Sequence, residues 1–203
     1  MLWPVRELGP SDRRLLTTHF VALRSDDRRL RFGVPVNDFA IGRYVERIDF
    51  GHDGVFGVFD DSLALVGAAH LARASGHAEL GVSVLPEARN RGVGAALLSR
   101  AMVHARNWGL SALLVHCLRE NRAMMHLARK LGMAITAEAG EADAWLRLPR
   151  PDAGTFFGEA FEQQVGLLDF ALKAQLAGTR RALDALRSRH GEVEQAVAAP
   201  ARH

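Results

Sequence analysis

The chain lacks most features of a secreted, membrane-embedded or nucleic-acid-binding protein. Its single cysteine, Cys117, excludes an intrachain disulfide framework, so we expect a reducing, cytoplasmic location. No run of 18 apolar residues is present and the N-terminus shows no signal-peptide pattern, so we expect no membrane span. The net charge of +3 at pH 7 does not indicate a nucleic-acid surface, and we expect no nucleic-acid partner.

Two common phosphate-binding motifs are also missing. Residues 89–94 read Arg-Asn-Arg-Gly-Val-Gly, without the third glycine of a dinucleotide-binding fingerprint. No Gly-Lys-Ser/Thr follows, so the stretch is not a P-loop. We also predict no bound metal.

Residues 89–94 nevertheless have the physical properties of an anion cradle. They follow an apolar, strand-like run and lead directly into a helical pattern. Gly92 and Gly94 remove side chains where the backbone must approach a ligand, and a helix start offers free N–H groups and a positive dipole end. Arg89 and Arg91 add positive charge. The segment therefore predicts a site for a diphosphate.

A second informative segment, Asn121–Met133, begins about thirty residues later. Asn121 is a favoured N-cap residue, and Gly132 suits a left-handed C-cap. The apolar side chains between them fall on one helical face: Met124, Leu127, Ala128 and Leu131. The pattern predicts an amphipathic helix that begins at Asn121.

These two segments, in this order and with a strand-like run between them, resemble the cofactor site of the GNAT N-acetyltransferases. In that family Arg-x-x-Gly-x-Gly follows a strand, and an Asn opens a helix that ends in Lys-Leu-Gly. The resemblance covers roughly residues 2–148 and implies an α/β fold with a mixed sheet flanked by helices. We expect a GNAT domain at 1–149 and a helical extension at 150–203.

The resemblance implies acetyl-CoA as the acyl donor and the primary amine of a protein lysine or a small molecule as the acceptor. It also assigns the cofactor-binding residues. The pyrophosphate would bind at Arg89, Arg91, Gly92, Val93, Gly94 and Ala95, and the pantetheine would lie against the backbone of Val82, Val84 and Leu85 and beside Asn121. The N–H of Val84 would face the thioester carbonyl.

Catalysis requires a base, because a lysine amine arrives protonated. Glu79 lies ten residues before Arg89, where some GNAT members carry a carboxylate base, and it is our first choice. His70, His77 and His116 are alternatives because imidazole titrates in the right range. A structural role for each of these residues stays open.

The family tyrosine that protonates the departing thiolate is replaced by Ala128. The only tyrosine, Tyr44, lies in a predicted helical region on the acceptor side. The general acid is therefore a water, an unidentified side chain or unnecessary. A non-catalytic acyl-CoA sensor or assembly module is the alternative function.

The acceptor side is predicted from residues 20–50. Ser25–Phe32 resembles a Ser- and Arg-Phe-containing stretch of bacterial protein-lysine acetyltransferases, and we place Arg31, Phe32 and Gly33 in a loop between helices. A surface role for this stretch is the alternative.

The extension carries apolar residues at helical spacing between Phe157 and Arg189. They predict an amphipathic helix or helical hairpin. It would cap the domain, form a homodimer or lie on a membrane surface.

Overall fold

The computed structural model describes residues 3–198, with side chains through residue 181. Within that range the chain forms one mixed sheet with the strand order β1-β2-β3-β4-β5-β7-β6. The strands are β1 (Arg6–Glu7), β2 (Gly54–Phe59), β3 (Leu65–Arg73), β4 (His77–Val84), β5 (Ala112–Leu118), β6 (Ala134–Glu138) and β7 (Glu141–Arg147). The helices are α1 (Arg13–Ala22), α2 (Ser25–Phe32), α3 (Asp38–Glu46), α4 (Val93–Asn107), α5 (Arg122–Lys130) and α6 (Ala153–Ala198). The predicted α/β fold is confirmed.

The sheet divides between its two central strands. β4 pairs antiparallel with β3 along its whole length, from Arg73–Ala78 to Gly67–Val84. With β5 it pairs in parallel over only three residues, and the last partners are Glu79 and Leu114. Beyond this pair the strands diverge, which leaves one edge of β4 open to a ligand.

Apolar side chains on the two faces of the sheet form two cores. One core packs α4 and α5 against the sheet through residues such as Leu97, Leu98 and Met125. The other packs α1 and α3 against β2 and β3 through residues such as Phe20 and Ile41. Both faces of the sheet are therefore covered, as expected for strands rich in apolar residues.

The predicted loop at Arg31–Gly33 is wrong, because Arg31 and Phe32 belong to helix α2. The helix ends at Gly33, whose φ of 77° is the left-handed conformation of a C-cap. Asp26 and Asp27 in the first turn and arginines in the last turn favour its dipole. No α2 side chain is fully buried, so the helix lacks the apolar period that identifies an amphipathic helix.

Helix α6 is one continuous helix, so the alternative of a helical hairpin is wrong. Its first half lies against β1 and α4, where a Cβ on Gly166 would be only 2.5 Å from the carbonyl oxygen of Val5. Phe170 packs edge-on against Phe59, with ring centroids 4.8 Å apart. The predicted apolar positions Leu183 and Leu186 and the basic positions Arg187 and Arg189 lie outside the side chains that are described.

A second face of α6 is apolar and exposed. Its residues follow at intervals of three or four: Phe157, Phe161, Val165, Leu168, Leu172 and Leu176. Among the described residues, no helix combines the length and the apolar character that crossing a membrane requires.

Candidate functional site

A cavity of about 480 Å³ lies where β4 and β5 diverge. Its walls come from α2, the end of β4, the start of α4 and one face of α5. They include eight of the ten predicted cofactor-binding residues: Val82, Val84, Arg89, Gly92, Val93, Gly94, Ala95 and Asn121. The structure therefore brings most of the two sequence segments to one place.

The start of α4 supplies unpaired backbone donors to this cavity. Gly92 is the N-cap, with a φ of 89° that side chains rarely tolerate, and the first helical hydrogen bond is donated by Ala96 to Gly92 at 3.0 Å. The N–H groups of Val93, Gly94 and Ala95 therefore have no partner within the helix. With the helix dipole, they form a binding site for an anion.

Open backbone groups on β4 line the adjoining wall. The N–H of Leu85 donates to Val66 on β3 at 2.8 Å. Because successive residues of a strand point their N–H groups to opposite sides, those of Val84 and Val82 point away from β3, toward the gap. An extended ligand can pair with this edge as an added strand would.

Leu85 itself is not available to a ligand, so the prediction for this residue is wrong. Its N–H is bonded to Val66, its carbonyl accepts from Ala88 at 3.0 Å, and its side chain is 8% exposed within the core. Strand alternation explains the difference, since the N–H of Leu85 faces β3 when those of Val82 and Val84 face the gap.

The two arginines of the turn have different surroundings. Arg89 lines the cavity, where its Nε donates to the carbonyl of Val84 at 3.0 Å and its Nη2 pairs with Asp27 at 2.8 Å. Arg91 is exposed, its guanidinium lies 5.2 Å from the ring centroid of Trp3, and it does not line the cavity. Phosphate contact by Arg91 therefore stays a prediction for its backbone N–H alone.

Helix α5 forms the opposite wall and begins as predicted. The Asn121 side chain caps the helix, accepting from the N–H of Met124 at 3.1 Å. Its Nδ2 donates to the carbonyl of Leu30 at 3.4 Å, which joins α5 to α2. His126 and Lys130 of the same helix also reach the cavity.

The sequence did not predict that helix α2 forms one wall of the cavity. Asp27, Leu30 and Arg31 line the cavity, and α2 contacts both sides of the divided sheet. It reaches the turn through the pair between Asp27 and Arg89, and the start of α5 through an ion pair between Arg29 and Glu120. Had the sequence pattern indicated a helix at Ser25–Phe32, it would have predicted that this helix covers the gap between β4 and β5.

A chain of hydrogen bonds continues from Arg31 away from the cavity. Arg31 Nη2 donates to the hydroxyl of Tyr44 at 2.8 Å, the hydroxyl lies 2.7 Å from His70 Nδ1, and His70 Nε2 lies 3.0 Å from Asp53. Asp53 can only accept, so Nε2 of His70 carries its proton and the Tyr44 hydroxyl donates to Nδ1. Burial, opposed by the hydrogen bond to Asp53, lowers the pKa of His70. Both ring nitrogens of the neutral His70 are therefore hydrogen-bonded, and neither is free to accept a proton from a substrate.

Glu79 lies at the point where β4 and β5 diverge, but it does not line the cavity, and its role as the base stays a prediction. It is exposed, and it forms no hydrogen bond or ion pair with the side chains described. Among the alternatives, His77 begins β4, and His116 is bound to Asp143 at 2.6 Å, which raises the pKa of His116. An imidazole that is more readily protonated is a poorer base at neutral pH.

A buried polar pair supports the cavity wall from behind. His19 lies 2.7 Å from the carbonyl of Leu65 through Nδ1 and 2.8 Å from the hydroxyl of Ser83 through Nε2. His19 is 2% exposed, and burial lowers its pKa to about 4. The pair fixes α1 to the sheet while Ser83 reaches the cavity.

Three further observations concern residues near the site. Ala128 is 1% exposed in the core, so no hydroxyl reaches the cavity from this position. Cys117 is buried, and burial raises the pKa of its thiol, which fits a packing role rather than a nucleophile. Among the described residues, no cluster of three His, Cys, Asp or Glu side chains is arranged to hold a metal ion.

Structures of known proteins share this fold at low sequence identity. The GNAT domain of Streptomyces lividans PAT is 19% identical, with a TM-score of 0.62 over 71% of this chain and 89% of that domain. A phosphinothricin acetyltransferase from Sinorhizobium meliloti, in complex with acetyl-CoA, is 18% identical, with a TM-score of 0.59 over 76% of this chain and 95% of that protein. Spermidine N-acetyltransferase from Vibrio cholerae, in complex with CoA and spermine, is 19% identical, with a TM-score of 0.57 over 70% of this chain and 94% of that protein.

Sequence comparison supplies the family. A search of curated protein sequences gives no significant match. Residues 21–133, more than half of the chain, match the model of the acetyltransferase (GNAT) family, and this segment contains the turn, the divided strands and the capped helix of the cavity. The chain therefore belongs to the acetyltransferase (GNAT) family.

Proposed function

We propose that the protein is an acetyl-CoA-dependent N-acetyltransferase that transfers the acetyl group directly to a primary amine. The observation that carries the proposal is the presence of two sets of free backbone donors in one cavity. The start of α4 offers the N–H groups of Val93, Gly94 and Ala95, and the open edge of β4 offers those of Val82 and Val84.

These two sets fit the two ends of acetyl-CoA. The α4 start suits the pyrophosphate, with Gly92 allowing close approach and Arg89 adding charge. The open β4 edge suits the amide-containing pantetheine arm, beside Asn121. The structural neighbour from Sinorhizobium meliloti contains acetyl-CoA, which supports this donor for the present chain.

The transfer requires four events at the divergence of β4 and β5. Glu79 accepts a proton from the ammonium through water, since about 17 Å of strand separates positions 79 and 84. The neutral amine nitrogen then attacks the thioester carbonyl carbon, and the N–H of Val84 stabilises the oxyanion of the tetrahedral intermediate. The carbonyl re-forms as the C–S bond breaks, and the CoA thiolate leaves with the electron pair. Water delivers a proton to the thiolate in place of the family tyrosine absent at Ala128, and takes up the second proton of the nitrogen, so that a neutral amide remains.

Acetyl-CoA turnover with thiol detection tests the proposal against that of a non-catalytic sensor. CoA release that depends on an added amine, from a panel of lysine peptides, polyamines and amino acids, supports the enzyme. Saturable acetyl-CoA binding without release under any amine would instead support a sensor or assembly module. The acceptor is a protein lysine or a small amine, and mass spectrometry of the acetylated product would identify it.

We also propose that the exposed apolar face of α6 mediates homodimerisation. Leu168 and Leu172 lie on this face, 67% and 59% exposed. Leu168→Glu should convert a dimer to a monomer in light scattering without loss of helicity, and an unchanged mass would reject the proposal. A cytoplasmic location stays a prediction from the single cysteine.

A further inference from the structure

One half-buried charged side chain on the cavity wall has no opposite charge to balance it. Arg31 forms no ion pair with any carboxylate whose side chain is described, whereas the other arginine of the wall, Arg89, is paired with Asp27. The Nε of Arg31 is buried without a hydrogen-bond partner. A half-buried guanidinium in this state favours a negatively charged ligand group.

The surroundings of Arg31 hold its guanidinium in one position. Its Cζ lies 5.0 Å from the ring centroid of Phe32, 5.6 Å from that of Tyr44 and 5.7 Å from that of Phe20. The hydroxyl of Tyr44 accepts from Nη2 and is itself fixed by His70. This set of contacts orients the guanidinium at little further entropic cost when a ligand binds.

The backbone beneath Arg31 is also shaped for it. A Cβ on Gly81 would lie 2.3 Å from Cζ and 2.4 Å from both Nη atoms. The guanidinium therefore rests directly on β4, in space that a larger residue would fill. Because side chains alternate along a strand, Glu79 projects from the same face, and the two α-carbons are about 7 Å apart.

This position is at the acyl end of the cleft rather than the phosphate end. Gly81 precedes Val84 by three residues, about 10 Å along the strand, and the Gly92–Gly94 turn lies beyond Val84. The phosphates of CoA are accounted for by the turn, and the oxyanion by the N–H of Val84. The remaining ligand at this end is the acceptor.

We infer that the acceptor is a small amine that carries an acid group, of the amino-acid type, with its acid group bound by Arg31 and its amine directed along the gap toward Val84, from where Glu79 takes up the proton through water. The inference rests on the proposed function and specifies its substrate class. A planar guanidinium fork matches a carboxylate, while a polyamine or a lysine side chain would meet an unbalanced positive charge. A zwitterion bound to Arg31 through its acid group keeps its amine free to reach the thioester.

The experiment compares each L-amino acid with its α-carboxamide, and adds spermine and a lysine peptide, in acetyl-CoA turnover. The wild type should prefer the acids. Arg31→Gln should lower kcat/KM for the acids about 10- to 100-fold, as expected for one charge-assisted hydrogen bond, and leave kcat/KM for the amides within about threefold. Arg31→Lys should restore only part of the loss. The dissociation constant of acetyl-CoA should not change.

Gly81→Ala provides a second variant that keeps Arg31 in the sequence. Its Cβ displaces the flexible end of Arg31, so it should reproduce the selectivity change of Arg31→Gln with intact folding. Gly42→Ala, where a Cβ meets nothing within 4 Å, is the matched control and should leave selectivity unchanged.

Three results would overturn the inference. Wild-type preference for amides, spermine or the lysine peptide would do so while leaving the proposed function intact. An equal loss for acids and amides in Arg31→Gln would also overturn it, since Arg31 would then act on the transferred acetyl group. If no amine is acetylated, the proposed function fails, and calorimetry of amino acids on the CoA-loaded protein decides the subsite: binding that Arg31→Gln abolishes supports it, and no binding rejects it.

Discussion

Arg100 of α4, 1% exposed, is paired with Glu159 of α6 at 2.5 Å. His104 and Asn107 also bond this carboxylate. Burial raises the pKa of Glu159, but the hydrogen bonds from His104, Arg100 and Asn107 outweigh burial and hold the pKa at about 2. Helix α6 is therefore attached to α4 through a buried charge.

We expect Glu159→Leu to destabilise the whole protein. Arg100 would keep only the more distant Glu7, at 3.4 Å, and breaking a buried ion pair from one side costs about 3–5 kcal/mol. Urea denaturation followed by circular dichroism measures the change. Glu162→Leu, on the exposed face of the same helix, is the control, and equal effects of the two variants would show that the ion pair is not responsible.

We expect Gly94→Val to abolish tight acetyl-CoA binding while the fold is retained. The added Cβ would lie 3.4 Å from Leu127 and 3.7 Å from Val84, at ordinary contact distance, so the branched side chain fills the cavity rather than the core. Calorimetric titration should give an affinity at least about tenfold lower, equivalent to 1.4 kcal/mol. Gly158→Val, with nothing within 4 Å of its Cβ, should bind normally. Normal binding by the Gly94 variant would place the donor elsewhere.

We expect Glu79→Gln to reduce kcat/KM by about 10²- to 10⁴-fold, the usual contribution of a general base. The dissociation constant of acetyl-CoA should be unchanged. A wild-type kcat/KM in the variant would transfer the role to another group. His116→Gln serves as the comparison, because the hydrogen bond to Asp143 already raises the pKa of His116.

We expect the stability of the protein to fall as the pH decreases from about 6.5 to about 4. His19 is neutral in the folded state because burial lowers its pKa to about 4, whereas the unfolded chain takes up a proton near 6.5. The unfolded state therefore binds more protons in this window, and stability rises with pH across it by up to about 3 kcal/mol.

The free energy of unfolding measured at several pH values tests this expectation. His19→Gln should flatten the slope between pH 4 and 6.5, whereas His52→Gln, at a histidine whose side chain is 77% exposed, should not. A slope that persists in His19→Gln would assign the effect to other groups.

Local backbone chemistry accounts for what the sequence predicts well. Gly92 is required by a positive φ, Asn121 by an N-cap, and both roles depend only on nearby residues. The apolar strands and α4 follow from their hydrophobic pattern in the same way. Such features are visible without tertiary structure.

The features that the sequence did not predict depend on tertiary structure. α2 is charged and only half-buried, so its wall over the gap has no apolar signature. The contact between Arg31 and Gly81 brings together residues that are fifty positions apart in the sequence. The hydrogen bond that makes the N–H of Leu85 unavailable depends on the register of β4 with Val66. No local pattern encodes these relationships.

The divergence of β4 and β5 determines which substitutions the protein tolerates on β4. The ligand-binding groups proposed at positions 82 and 84 belong to the main chain, so their side chains can change among apolar residues that keep the strand extended and still pack against the core. Proline is the exception, because its ring nitrogen carries no hydrogen to donate. Apolar substitutions at positions 82 and 84 are therefore tolerated, whereas proline is not.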